Sequence, residues 1–166
     1  MVAARHLHDR GAEGSVVLAA EQMRLKQAPA HQWNILFNLG LPQAIEGDLS
    51  TGDLILDALI GYGLHGDPLG APARWIELAN ASGRPVLALD TPSGLDNTTG
   101  RPGNPCLRAA ATLTLALPKA GLLAPEARPY VGDLYLADIG VPPELYRRLG
   151  LEVGAIFAED SIKRVH

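Results

Sequence analysis

The amino-acid sequence predicts an α/β fold: a three-layer αβα sandwich on a mainly parallel sheet. Three observations carry that expectation. Short apolar runs bounded by Gly, Pro or Asp alternate with segments of helical spacing over the first two-thirds of the chain, and strands dominate the rest. The 18 glycines and 13 prolines gather between those segments, in the loops where an α/β protein carries its site. Acids also mark two consecutive apolar runs, Asp57 within Asp53–Ile60 and Asp90 after Val86–Leu89. In an open parallel sheet the crevice outside the carboxyl ends of the strands is where ligands bind.

Taken in order, residues 2–10 contain strong helix formers, with Val2, Ala3, His6, Leu7 and Arg10 at helical spacing and Gly11 at the stop. Residues 15–20 read as a short buried strand. A helix over 30–39 follows, its packed stripe formed by Trp33, Leu36 and Phe37 and its stop by Gly40. Residues 41–45 read as a small strand, and Asp53–Ile60 as a longer one. Pro72 suits the first turn of a helix that carries Trp75, Ile76, Leu78 and Ala79 at helical spacing. Val86–Leu89 is an unbroken apolar run between Pro85 and Asp90, the pattern of a strand buried on both faces. Residues 109–117 form the next strand, with Thr112 and Thr114 alternating against apolar neighbours, and residues 134–138 another. Pro142 opens a short helix that ends at Gly150, and the tail from Val153 offers one more strand.

Composition narrows the function. At 166 residues the chain reads as one domain, and 47% hydrophobic with 19% charged residues describes an ordinary globular protein. A net charge of −4 argues against nucleic acid as a partner, because phosphate neutralisation needs clustered Lys and Arg. Cys106 is the sole cysteine, so there is no disulfide framework and no thiolate metal site. No apolar run approaches the roughly 20 residues needed to span a bilayer. The basic start lacks the apolar segment of a secretory leader. No membrane partner and a cytoplasmic location are therefore expected.

Asp57 stands out because a carboxylate in an apolar strand has to be paired, hydrogen-bonded or metal-bound. With Asp90 at the end of the next strand and the Ser93 hydroxyl nearby, the oxygen donors suit a hard cation. Gly61, Tyr62, Gly63, Leu64, His65 and Gly66 fit G-x-G-x-x-G after a strand, and Asp67 follows. The helix does not open at the last glycine, so the loop cannot seat a pyrophosphate directly on its N-terminus. The glycines instead let backbone amides approach a ligand. Ser93 lacks the G-x-S-x-G setting of a nucleophile and has no placed histidine base. Lys119 follows a strand end, where it either meets an anionic ligand or is solvated.

Together, Val2–Leu7, Asp57–Leu64, Asp90–Asp96, Pro118–Gly121 and Asp138–Pro142 resemble, in order, motifs of the YjeF N-terminal domain family, the NAD(P)HX epimerases. The resemblance implies a Rossmann-like fold, often dimeric, and an isomerase that interconverts the R and S epimers of hydrated NADH and NADPH. It implies a potassium ion on Asp57 and Ser93, a substrate-lining loop over residues 61–67, and Asp90 as the substrate-binding and catalytic acid. It also implies a dehydratase, as a fused domain or partner, that repairs one of the two epimers. Family members carry a strand and a G-N-N-G-G-D-G loop, with a potassium-ligating asparagine, just before the Val-Ala-Ala-Arg helix. The sequence is thus expected to be one truncated domain of that family, with a C-terminus resembling the junction of two-domain relatives. Two other readings compete: a non-catalytic partner-binding or dimerisation module of the same fold, and an NAD(P)-binding dehydrogenase-like domain.

Overall fold

In a computed structural model, which describes residues 1–19, 25–44, 49–64 and 66–165, the chain forms the expected α/β fold. Its sheet has five strands in the order β1-β2-β3-β4-β5: β1 (Ile55–Asp57), β2 (Val86–Leu89), β3 (Ala111–Leu115), β4 (Asp133–Ala137) and β5 (Ile162–Arg164). The first four strands are mutually parallel, and β5 closes one edge antiparallel to β4. The helices are α1 (Val2–His8), α2 (Gln27–Asn38), α3 (Gly70–Ala81), α4 (Arg128–Val131) and α5 (Pro143–Arg148).

Register decides which residues share a face. Asp57 pairs with Ala88, Ala88 with Thr112, and Thr112 with Leu134, so these four lie on one side of the sheet. That side is well covered. Ile76 and Ala79 of α3 pack with Val86 and Ala88, and Leu122, Ala127 and Val131 pack with Leu134 and Leu95. Strands that step in one direction with right-handed connections place those connections on the same face, as α3 and the 120–131 segment show.

The threonines follow from this cover. Thr112 and Thr114 are fully buried while Leu113 and Leu115, on the other face, are half-buried. Thr112 survives burial because its hydroxyl donates to the Val131 carbonyl at 2.7 Å.

Several expected elements change length or character. Residues 15–20 are not a buried strand: among the described residues Val16 makes a single parallel bridge to Gln43, and 15–19 stay exposed or half-buried. The same bridge is all that the small strand over 41–45 amounts to, residue 45 lying outside the described residues. In α2, Trp33 and Leu36 are buried but Phe37, about 100° round the helix from Leu36, is 71% exposed. The strand expected over 53–60 spans only 55–57 and ends at Asp57. β2 has its expected bounds, but Leu87 and Leu89 are half-buried, so its burial is full on one face only.

Candidate functional site

The carboxyl edge of the parallel strands is where the sequence-predicted acids meet their partners. They do so in two separate clusters. Asp57, the last residue of β1, is 2% exposed. Its Oδ2 accepts the Ser93 backbone N–H at 2.7 Å and its Oδ1 accepts the Ser93 hydroxyl at 2.6 Å. Oδ1 also accepts the Leu59 N–H at 3.2 Å. The Ser93 oxygen in turn accepts the Ile60 N–H at 2.9 Å and lies 3.4 Å from the Ile60 carbonyl oxygen. Burial pushes the Asp57 carboxyl above its ordinary range, against the pull of the Ser93 and Leu59 bonds. No Lys or Arg among the described residues pairs with it.

The tightness of this cluster comes from glycine. Gly94 has φ +97°, and a Cβ there would lie 2.5 Å from the Pro105 carbonyl oxygen and 2.9 Å from the Cys106 Cα. Only a residue without a side chain lets the turn after Ser93 lie against the 105–106 backbone. Ser93 itself is fully buried and spent on Asp57, which removes it as a nucleophile.

Asp90 belongs to the second cluster. It follows β2 directly and adopts φ +71°, unusual for a non-glycine residue. Its own N–H donates to the Leu113 carbonyl at 2.8 Å. Its Oδ1 accepts the Leu115 N–H at 3.1 Å and the Thr114 hydroxyl at 3.3 Å, and it is ion-paired with Lys119. The Lys119 ammonium also donates to Thr114 Oγ1 at 3.0 Å and to the Leu115 carbonyl at 3.1 Å. Every donor to the Asp90 carboxylate lands on Oδ1, and Oδ2 accepts no hydrogen bond among the described residues. Asp57 and Ser93 thus share one hydrogen-bonded cluster and Asp90 belongs to another: register sets Asp90 two residues beyond the partner of Asp57, and its carboxylate bonds to the end of β3.

The glycine loop lies alongside. Gly63 and Gly66 have φ +108° and +77°, so the chain turns where side chains would be strained. Gly61 and Tyr62 are exposed, Leu64 is half-buried, and His65 lies outside the described residues. Asp67 accepts the Asn104 N–H at 2.8 Å, which ties this loop to the one after β2. Between them is a cleft of about 150 Å³ lined by Leu64, Gly66, Asp67, Gly94, Asp96 and Arg101. As expected, the helix starts past the last glycine, at Gly70.

Lys119 is the site residue that sequence reasoning raised without giving it a role. Thr114 was missed as a site residue; its place one residue before the last of a strand beside an acid-terminated one was the available signal.

A parallel sheet with acids, a glycine loop and a cleft at its carboxyl edge defines an α/β protein built to bind a ligand there. The chain belongs to the family described as "YjeF-related protein N-terminus", whose model matches residues 1–121. It is 39% identical over 155 residues to the bifunctional NAD(P)H-hydrate repair enzyme Nnr of Moorella thermoacetica, covering 87% of this chain and 29% of the relative. It is 38% identical over 154 residues to the NAD(P)H-hydrate epimerase of Dehalogenimonas lykanthroporepellens, covering 92% of this chain and 61% of the relative. The chain therefore spans less than two-thirds of the length of these relatives. In three dimensions it is similar to the crystal structure of yeast ynu0, with a TM-score of 0.76 at 20% identity, covering 99% of this chain and 70% of that one. That likeness supports the fold.

Proposed function

We propose that the chain is the epimerase domain of nicotinamide cofactor repair, interconverting the R and S epimers of hydrated NADH and NADPH. The observation that carries the reading is the half-tied Asp90 carboxylate at the carboxyl edge of the parallel sheet: Oδ1 is held by Leu115, Thr114 and Lys119, and Oδ2 accepts no hydrogen bond among the described residues. Relatives that align over about nine-tenths of the chain bear the names NAD(P)H-hydrate epimerase and NAD(P)H-hydrate repair enzyme.

With a proton taken up from solvent on Oδ2, Asp90 passes that proton to the departing ring hydroxyl, which leaves as water and gives a transient nicotinamide cation beside the Asp90 carboxylate. Water returns to either face of the ring, and Asp90 takes the proton back, so that both epimers are reached from one cation. The cleft lined by Leu64, Gly66, Asp67, Gly94 and Arg101 would take a fragment of the dinucleotide, and its backbone turns let amides approach the ligand.

The potassium ion implied by the family fits the first cluster. Asp57 is a buried carboxylate without a cationic partner, and its Oδ1, Ser93 Oγ and the Ile60 carbonyl gather hard oxygen donors. Two further oxygens of the Ser93 loop, Thr91 Oγ1 and Asn97 Oδ1, are buried without a hydrogen-bond partner among the described residues. No group of three His, Cys, Asp or Glu side chains occurs among the described residues, so the donors favour an alkali cation over a transition metal. Asp57 and Ser93 would hold the ion, which would fix the 91–97 loop in place. A fused or separate dehydratase would consume the product, in keeping with relatives that are named bifunctional repair enzymes.

The test is the exchange of the R and S forms of hydrated NADH and NADPH, followed by chromatography. The chain should accelerate exchange, and Asp90→Asn should remove that acceleration with the thermal transition kept. Unaltered exchange with Asp90→Asn would take Asp90 out of the mechanism, and no acceleration by the unsubstituted chain would overturn the epimerase reading.

A further inference from the structure

We infer that Lys119 is the positioning residue of the site: with Thr114 it clamps one oxygen of Asp90, so that the other alone meets the ligand. The inference rests on the epimerase reading for its activity readout and on geometry for its substance.

Two non-glycine residues among those described have positive φ, Asp90 at +71° and Ala116 at +65°. They follow the carboxyl ends of two adjacent parallel strands, β2 and β3. Such backbone is costly for residues with a side chain and persists only where the surroundings impose it, most often at functional sites. Here the two turns do complementary things. The turn at Asp90, secured by its N–H on Leu113, swings the carboxylate across the end of β3. The turn at Ala116, secured by its N–H on the Ala137 carbonyl at 3.0 Å, folds the chain back over that same strand end. Lys119 consequently returns to Leu115 and Thr114, four and five residues behind it, and its ammonium reaches Asp90 Oδ1.

The surroundings favour a built clamp over a chance surface pair. The side chains of Lys119 and Asp90 are only 18% and 25% exposed. The Lys119 ammonium has three oxygens about it, Asp90 Oδ1, Thr114 Oγ1 and the Leu115 carbonyl, which matches its three N–H donors. Thr114 is fully buried and relays between them, accepting from Lys119 and donating to Asp90. With three donors on Oδ1 when the Leu115 amide is included, rotation of the carboxylate would break all of them at once. A carboxylate so fixed presents one oxygen in one direction, which is what proton transfer at a single ring position requires.

Lys119 acts through Asp90, and the experiment is built on that distinction. In the 166-residue chain, kcat and KM for epimer exchange are measured for Lys119→Met, Lys119→Arg, Thr114→Val, Asp90→Asn and the Thr114→Val/Lys119→Met double variant. Lys119→Met should lower kcat about 100-fold with KM changed less than about threefold, the pattern of lost alignment rather than lost binding. Lys119→Arg should recover at least about tenfold of that loss. The double variant should lose clearly less than the product of its two single losses, because both residues act through the same oxygen of Asp90.

Multiplying losses in the double variant, or a Lys119→Met chain at the unsubstituted rate beside an inactive Asp90→Asn, would overturn the inference while leaving the epimerase reading intact. An active Asp90→Asn would instead take Asp90, and the clamp with it, out of the mechanism, and no acceleration by the unsubstituted chain would overturn the epimerase reading. A measurement independent of turnover keeps the clamp testable in either case. The ¹⁵N signal of the Lys119 ammonium should show slowly exchanging protons that are lost in Asp90→Asn and weakened in Thr114→Val. A rapidly exchanging ammonium in the unsubstituted chain would refute the clamp directly.

Discussion

Ser93 grips Asp57 with both its backbone and its side chain: the amide donates to Oδ2 at 2.7 Å and the hydroxyl to Oδ1 at 2.6 Å. The two residues are 36 positions apart, on the ends of neighbouring strands, and both are buried. A buried carboxylate held this way joins β1 to the loop after β2.

Ser93→Ala removes the hydroxyl that serves Asp57 and the acceptor that serves the Ile60 amide. Stranding a buried donor and weakening a buried carboxylate costs about 1–3 kcal/mol. For a chain of this size that is a fall in Tm of roughly 2–10 °C, to be read by calorimetry. A Tm unchanged within a degree would show that the pair does not hold the loop.

Potassium should raise the thermal transition more than sodium at equal ionic strength, because binding to the folded state alone stabilises it by mass action. Asp57→Asn should abolish the difference between the two salts. Equal transitions in the two salts for the unsubstituted chain would remove the ion from the Asp57–Ser93 cluster and would favour the non-catalytic module.

Gly94→Ala should be among the most damaging single substitutions in the chain. It combines φ +97° with a Cβ placed 2.5 Å from the Pro105 carbonyl oxygen, a backbone atom that cannot swing aside. The expected loss is more than about 2 kcal/mol, with hydrogen exchange rising across residues 91–107. By contrast Ala116→Gly, at φ +65°, relieves strain and should leave stability within about 1 kcal/mol of the parent.

Cys106 supplies a pH dependence of calculable sign. Burial, reinforced by the negative charge of Asp57 and opposed by Arg108, pushes its thiol from 9.0 up to about 12. The folded state therefore keeps its proton where the unfolded state loses it. Stability from this group is complete below pH 9 and declines as pH rises between 9 and 12. Native Cys106 should resist an aromatic disulfide reagent at pH 8 and react at once in denaturant. Rapid labelling of the native chain would contradict the burial.

Much of the fold was legible locally. Val86–Leu89 has its expected bounds because Pro85 and Asp90 mark them and four apolar residues admit little else. Asp57 was legible as a pinned carboxylate because an acid in an apolar run has few permitted environments. The clamp on Asp90 was not, since Lys119 lies 29 residues away and alanine at position 116 does not announce a turn with positive φ. Phe37 reads as core on spacing alone, yet the narrow buried stripe of α2 passes it by.

What the amino-acid sequence determined by itself is the set of short-range choices: the strand and helix order, the breaks at Gly and Pro, and the chemical types gathered at the strand ends. Those follow from backbone sterics and side-chain periodicity, which act over a few residues. Only the tertiary structure decided the partners. Parallel register put Asp57 beside Ala88 and sent Asp90 over β3, and the cover from α3 and the 120–131 segment chose which face buries the threonines. Contacts between residues 24 to 36 positions apart in the chain exist once the sheet has formed, because only then do the strand ends share one edge.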